Sequence, residues 1–137
     1  MIKLNELNFV GKDLHRPECV LVDVHGDLHI ADWRGGVTVI RQQTYLKTIT
    51  FSGNFDLKPN GIAILRGNDG WLVTHLGDED GGVFHLSMEG NLHPFLLEID
   101  KAALPPTNYV HIDHLARTWI TVSTRLRPRI LGCRPDH

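Results

Sequence analysis

Apolar and polar residues exchange places every second position along much of the chain, in runs of four or five residues. Eight such runs stand out: VLVDV (20–24), LHIAD (28–32), VTVI (37–40), GIAIL (61–65), WLVTH (71–75), VFHL (83–86), YVHID (109–113) and WITVS (119–123). Alternation with period two sends successive side chains to opposite faces of a strand, so these runs predict short β-strands. Gly, Asp, Asn and Pro lie between them and predict tight turns. Helical periodicity is nearly absent. The longest helical candidate, LLEIDKAAL (96–104), stops against Pro105 and Pro106.

The runs are also spaced regularly. Residues 23–40, DVHGDLHIADWRGGVTVI, share their order of features with residues 69–86, DGWLVTHLGDEDGGVFHL. Each has a turn with Gly, an alternating run, an acidic loop, Gly-Gly-Val and a second alternating run. Gly36 and Gly82 are 46 residues apart, and Glu18, Asn60 and Asn108 recur at intervals of 42 and 48 residues. A repeat of about 40–50 residues built from about four short strands is the pattern of a β-propeller blade. An antiparallel sandwich with similar hairpins would alternate in the same way, but the recurring spacing favours the propeller. The expected blades are 12–55, 56–103 and 104–137, the last incomplete. Propellers close with about 4–8 blades, so fewer than three full blades predict either part of a larger ring or closure by association with a second copy, because open strand edges invite pairing.

Composition narrows the class. With 42% hydrophobic and 22% charged residues, the 137-residue chain predicts one globular domain. No apolar run approaches the roughly 18 residues of a membrane helix, and MIKLNELNFVGKDLHRPE lacks the continuous apolar stretch of a secretory signal, so the expected setting is cytoplasmic. Net charge is −2, and the one dense basic stretch is RLRPR (125–129), which argues against nucleic acid as a partner. Cys19 and Cys133 have no metal-type spacing and read as reduced thiols.

Rotational symmetry gives equivalent positions a common direction, towards the axis. Glu18 (in RPEC), Asn60 (in KPNG) and Asn108 (in PTNY) each open the first strand of a blade, and each carries a side-chain oxygen. One carboxylate with amide oxygens is the donor set a hard cation such as Ca²⁺ prefers. Asn before Gly is also a common turn residue, and Glu18 also reads as a solvated loop acid. The nine histidines lack the spacing of a metal pair and read as surface or satisfied core residues. Trp33, Trp71 and Trp119 read as blade packing, Asp23 and Asp113 as hairpin-turn acids, and Asp78, Glu79 and Asp80 as a solvated turn. No nucleophile elbow, phosphate loop or dinucleotide fingerprint is present.

The segments RPECVLVDVHGDLHIADWRGGV, KPNGIAIL and PPTNYVHIDHLARTWITVSTRLRPR resemble the gluconolactonase and senescence-marker-protein (regucalcin-like) family, over residues 14 to 130. The resemblance implies half of a six-bladed propeller holding one divalent metal at its axis, Ca²⁺ foremost, with Zn²⁺ or Mn²⁺ as alternatives. It also implies hydrolysis of sugar lactones, with a lactone or sugar acid as ligand. Glu18 matches the family's first-blade metal ligand, and Asn108 its third-blade asparagine near metal and substrate. Asn60 matches no family ligand and rests on the symmetry argument alone. An Arg that holds substrate in many members is Pro106 here. The family's remaining ligands, an Asn and the Asp that is its usual general base, come from later blades. Two expectations follow: a lactonase-type hydrolase, completed in a ring of two copies if not by further blades, or a non-catalytic propeller module lacking a full metal site.

Overall fold

A computed structural model of the chain describes residues 2–41 and 44–123. The basic stretch 125–129, Cys133 and the remainder of the expected third blade lie outside the described residues. Two four-stranded antiparallel sheets follow one another. The first comprises β1 (Val20–Val22), β2 (Leu28–Asp32), β3 (Gly36–Arg41) and β4 (Tyr45–Thr50), paired in chain order. The second repeats the arrangement with β5 (Pro59–Ile64), β6 (Trp71–His75), β7 (Val83–Leu86) and β8 (Leu92–Leu96). After a small hairpin, β9 (Glu98–Ile99) with β10 (Ala102–Ala103), strands β11 (Thr107–Ile112) and β12 (Thr118–Val122) begin the motif a third time.

The sheets stack face against face. Ala31, Val37, Val39 and Ile49 of the first pack on Ile62, Trp71, Val73, Phe84 and Leu86 of the second, with Leu57 between. Ala63, Leu72 and Val83 leave the opposite face of the second sheet and meet Val110 of β11, with Ile112 and Ile120 alongside. The middle sheet is therefore covered on both sides, and all five residues of β6 are buried. Repeated four-stranded sheets stacked with their first strands innermost make the chain an all-β, incomplete propeller. The inner strands come very close: a Cβ on Gly61 would lie 2.6 Å from the Tyr109 Cα and 2.8 Å from the Asn108 carbonyl oxygen. Only a residue without a side chain allows β5 and β11 this approach.

Asp23 and Asp113 shape equivalent turns. The Asp23 Oδ1 accepts the backbone N–H groups of His25 and Asp27 at 2.8 and 3.0 Å, and the Asp113 Oδ1 accepts those of Leu115 and Arg117, both at 2.9 Å. The left-handed residue each turn needs is Gly26 in one and Ala116 in the other.

Every alternating run named from the sequence contains a strand, within a residue or two at its ends. Strands β4 and β8 were not among those runs. They form the outer edges, where β8 carries three exposed residues, Pro94 among them, so burial imposes no clear alternation there. The short helical candidate at 96–104 is instead the β9–β10 hairpin. Asp100 and Lys101 both take left-handed backbone angles, as a two-residue hairpin loop requires, and the Leu104 N–H closes onto the Leu97 carbonyl at 2.8 Å.

Candidate functional site

The three residues marked by symmetry all sit where an inner strand starts. Asn60 lies at an irregularity in the β5–β6 ladder, where the register shifts between Pro59 and Ile62. Asn108 lies at the corresponding shift in β11, between Thr107 and Tyr109. A bulge frees a strand residue from its ladder partner and re-aims its side chain. At the first bulge the freed Gly61 N–H is taken by the Thr74 hydroxyl at 2.7 Å.

The two bulges face each other. The Asn60 Nδ2 donates to the Asn108 carbonyl oxygen at 2.9 Å, and the Thr74 Oγ1 lies 3.1 Å from the same oxygen. The Asn108 Oδ1 accepts the Ser123 hydroxyl at 3.0 Å, while the Ser123 N–H donates to the Pro106 carbonyl at 2.7 Å. Each asparagine amide is thereby fixed in orientation by a neighbouring strand.

Glu18 precedes β1, whose start is held by the Ala31 N–H donating to the Cys19 carbonyl at 3.0 Å. The Glu18 side chain is partly exposed, and its Oε1 accepts the Arg16 Nε at 2.6 Å. The Arg16 guanidinium lies 3.8 Å from the centre of the Trp33 ring, a cation–π stack. The Trp33 Nε1 is buried and has no hydrogen-bond acceptor among the described residues. The structure thus joins Asn60 to Asn108 directly, whereas Glu18 bonds Arg16 and neither asparagine. Among the described residues no three His, Cys, Asp or Glu side chains come together to hold a metal ion.

The histidines take structural places. The Trp71 Nε1 donates to the His29 Nδ1 at 3.0 Å; indole nitrogen can only donate, so the His29 proton resides on Nε2 and is directed at the Asp23 Oδ2, 3.2 Å away. The His75 Nδ1 accepts the Lys58 backbone N–H at 3.1 Å. Burial and then the Lys58 charge push the His75 imidazole below its ordinary pKa, which favours the neutral ring. A cavity of about 320 Å³ lies between the first two sheets at the turn end, lined by Asp23, His29, Arg41 and Met88 among others. Sequence reading missed Arg16, Thr74 and Ser123. Arg16 carried a local signal, two residues from Glu18 and of opposite charge; Thr74 and Ser123 carried none, because their partners come from other strands.

No family model matches the chain, and no curated protein matches it. The fold does have a counterpart among solved structures: the X-ray structure of a protein provisionally described as a gluconolactonase. It superposes with a TM-score of 0.55 at 20% sequence identity, over 84% of this chain and 44% of that one. The likeness establishes a propeller fold of the lactonase type, and the chain spans less than half the length of that neighbour. Among the described residues no helix is long and apolar enough to cross a membrane.

Proposed function

We propose that the chain forms part of a metal-dependent sugar-lactone hydrolase of the gluconolactonase type, supplying Glu18, Asn60 and Asn108 to a divalent-cation site at the propeller axis. The observation that carries the reading is the meeting of Asn60 and Asn108 at paired bulges of neighbouring inner strands, the same strand end at which Glu18 stands.

The donor chemistry suits Ca²⁺, since every candidate ligand atom is oxygen and one is a carboxylate. The Asn108 Oδ1 accepts one hydrogen bond from Ser123, and a carbonyl oxygen has a second lone pair for a cation. Ca²⁺ takes about 6–8 oxygens, so three side chains are a partial set. We assign the rest to water and to further blades, supplied by a second copy of the chain closing a six-bladed ring. When bound, a divalent cation polarises a lactone carbonyl and acidifies a coordinated water. Glu18 contributes the negative charge that retains the cation, and Asn108 orients the lactone or the water beside it. As a ligand Glu18 is unsuited to be the general base, and a second copy of the chain repeats the same residues, so the base role stays unassigned. The setting we assign is cytoplasmic, where Cys19 stays a thiol; burial raises its pKa and keeps it unreactive.

Calorimetric titration with Ca²⁺ and chelator-sensitive turnover of gluconolactone test this reading. Glu18→Ala should weaken Ca²⁺ binding at least about tenfold, equivalent to about 1.4 kcal/mol, with little change in melting temperature, because Glu18 is exposed. Unchanged Ca²⁺ binding would overturn it. One observation favours a second reading, a non-catalytic module: Glu18 is already neutralised by Arg16 at 2.6 Å. Absence of both Ca²⁺ binding and lactone turnover would select that reading.

A further inference from the structure

Arg16 stands two residues before Glu18, beside the proposed axial site. Its backbone is left-handed, at φ 44°, a conformation that carries strain for a residue with a side chain. Its guanidinium is half exposed, lies over Trp33 at 3.8 Å from the ring centre and, among the described residues, hydrogen-bonds Glu18 through its Nε at 2.6 Å. A guanidinium has five N–H donors in a fixed fork that matches a carboxylate edge. The ring beneath it leaves its own N–H without an acceptor among the described residues. The cluster therefore holds more donors than acceptors, and its single carboxylate is the proposed metal ligand.

We infer that Arg16 and a divalent cation exchange on Glu18, and that the released guanidinium, still seated on Trp33, binds the carboxylate of a small sugar acid beside the axial site. The inference rests on the axial-site reading. A cation at Glu18 repels the adjacent guanidinium, and the freed fork then lacks a counter-ion that a ligand carboxylate supplies. An exposed ion pair is worth only about 0–1 kcal/mol, so the exchange requires no large energy. Because binding free energies are linked reciprocally, cation and carboxylate should each tighten the other. The product of lactone hydrolysis is such a carboxylate, and the site would retain it while the cation is bound.

Calorimetry with Ca²⁺ and with gluconate on the intact chain tests the exchange. In the wild type, saturating Ca²⁺ should tighten gluconate about fivefold or more. Arg16→Ala should bind Ca²⁺ about twofold to fivefold more tightly and lose the gluconate response. Glu18→Gln should bind gluconate without Ca²⁺ and show no coupling. Alanine meets the same left-handed backbone that Arg16 already occupies; should Arg16→Ala fail to melt cooperatively, Arg16→Lys, which keeps charge without the fork, should cut the coupling at least by half. Equal Ca²⁺ affinity in wild type and Arg16→Ala, or coupling that survives there, would overturn the exchange while leaving the axial site standing. Absence of Ca²⁺ binding from both proteins would overturn the axial reading itself, and the exchange with it.

Discussion

Asp32 is the most deeply committed acid among the described residues. It has no exposed surface, and its Oδ2 accepts the Arg34 Nη2 at 2.6 Å and the Thr38 hydroxyl at 2.9 Å, while Oδ1 takes the Arg34 backbone N–H and Nε. Burial alone would raise its pKa, but these donors, Arg34 foremost, overcome it and lower the carboxyl from 3.8 to about 2. A depressed carboxyl stabilises the fold above its unfolded pKa and loses that stabilisation as pH falls through the folded value. The contribution is about 2 kcal/mol at neutral pH, with roughly 1 kcal/mol lost by pH 3. Denaturant melts of Asp32→Asn should be weaker by about 2 kcal/mol at pH 7, and the gap to wild type should narrow on acidification. A gap independent of pH would assign the effect to shape rather than charge. The turn acids Asp23 and Asp113 were readable from the sequence because their acceptors bind N–H groups two and four residues on. Asp32 was not singled out, although Arg34 two residues on was a local signal; the Thr38 hydroxyl reaches it only through the β2–β3 pairing, in which Asp32 lies opposite Gly36.

At the scale of elements, the bulges in β5 and β11 decide what the asparagines do. Regular strands would send Asn60 and Asn108 along the ladder; with the shift, Asn60 crosses to the next sheet and bonds the Asn108 carbonyl at 2.9 Å. Gly61 makes the crossing possible. A methyl there meets the β11 backbone at 2.6 Å, so Gly61→Ala should destabilise by about 1–3 kcal/mol through overpacking and weaken Ca²⁺ binding by parting the two asparagines. Thermal melts and calorimetry on that variant check both effects. A normal melting temperature would mean that β5 and β11 can separate without loss. Strands with a buried face were legible from alternation, and so was the interval that puts Asn60 and Asn108 at matching places in β5 and β11. The bulges were not, because a register shift is defined only against a partner strand.

At the scale of the whole molecule, the middle sheet has neighbours on both faces and the flanking strands do not. Val20 and Val22 of β1 are 59% and 65% exposed, and Trp119 of β12 is 56% exposed. Within the chain, the matching face of the second sheet buries Ile62, Trp71 and Val73 against the first sheet. A second copy would cover the exposed residues in the same manner, β12 of one against β1 of the other, twice around the axis. Light scattering with Ca²⁺ should therefore give a dimer, and Val22→Asp should return it to monomer without loss of strand content by circular dichroism. A wild-type monomer under all conditions would rule out closure by a second copy.

The amino-acid sequence by itself determined eight of the twelve described strands, the turns between them and the repeat. Side-chain alternation and turn chemistry act over two to five residues, and a unit repeated at a fixed interval leaves its period in the chain. Tertiary structure alone decided that Asn60 bonds Asn108, that Thr74 fills a bulge and that His29 links Asp23 to Trp71. Asn60 with Asn108 and His29 with Trp71 meet only when one sheet stacks on the next, and Thr74 meets Gly61 through the pairing of β5 with β6, so backbone separation, rather than sequence distance, sets which polar groups meet.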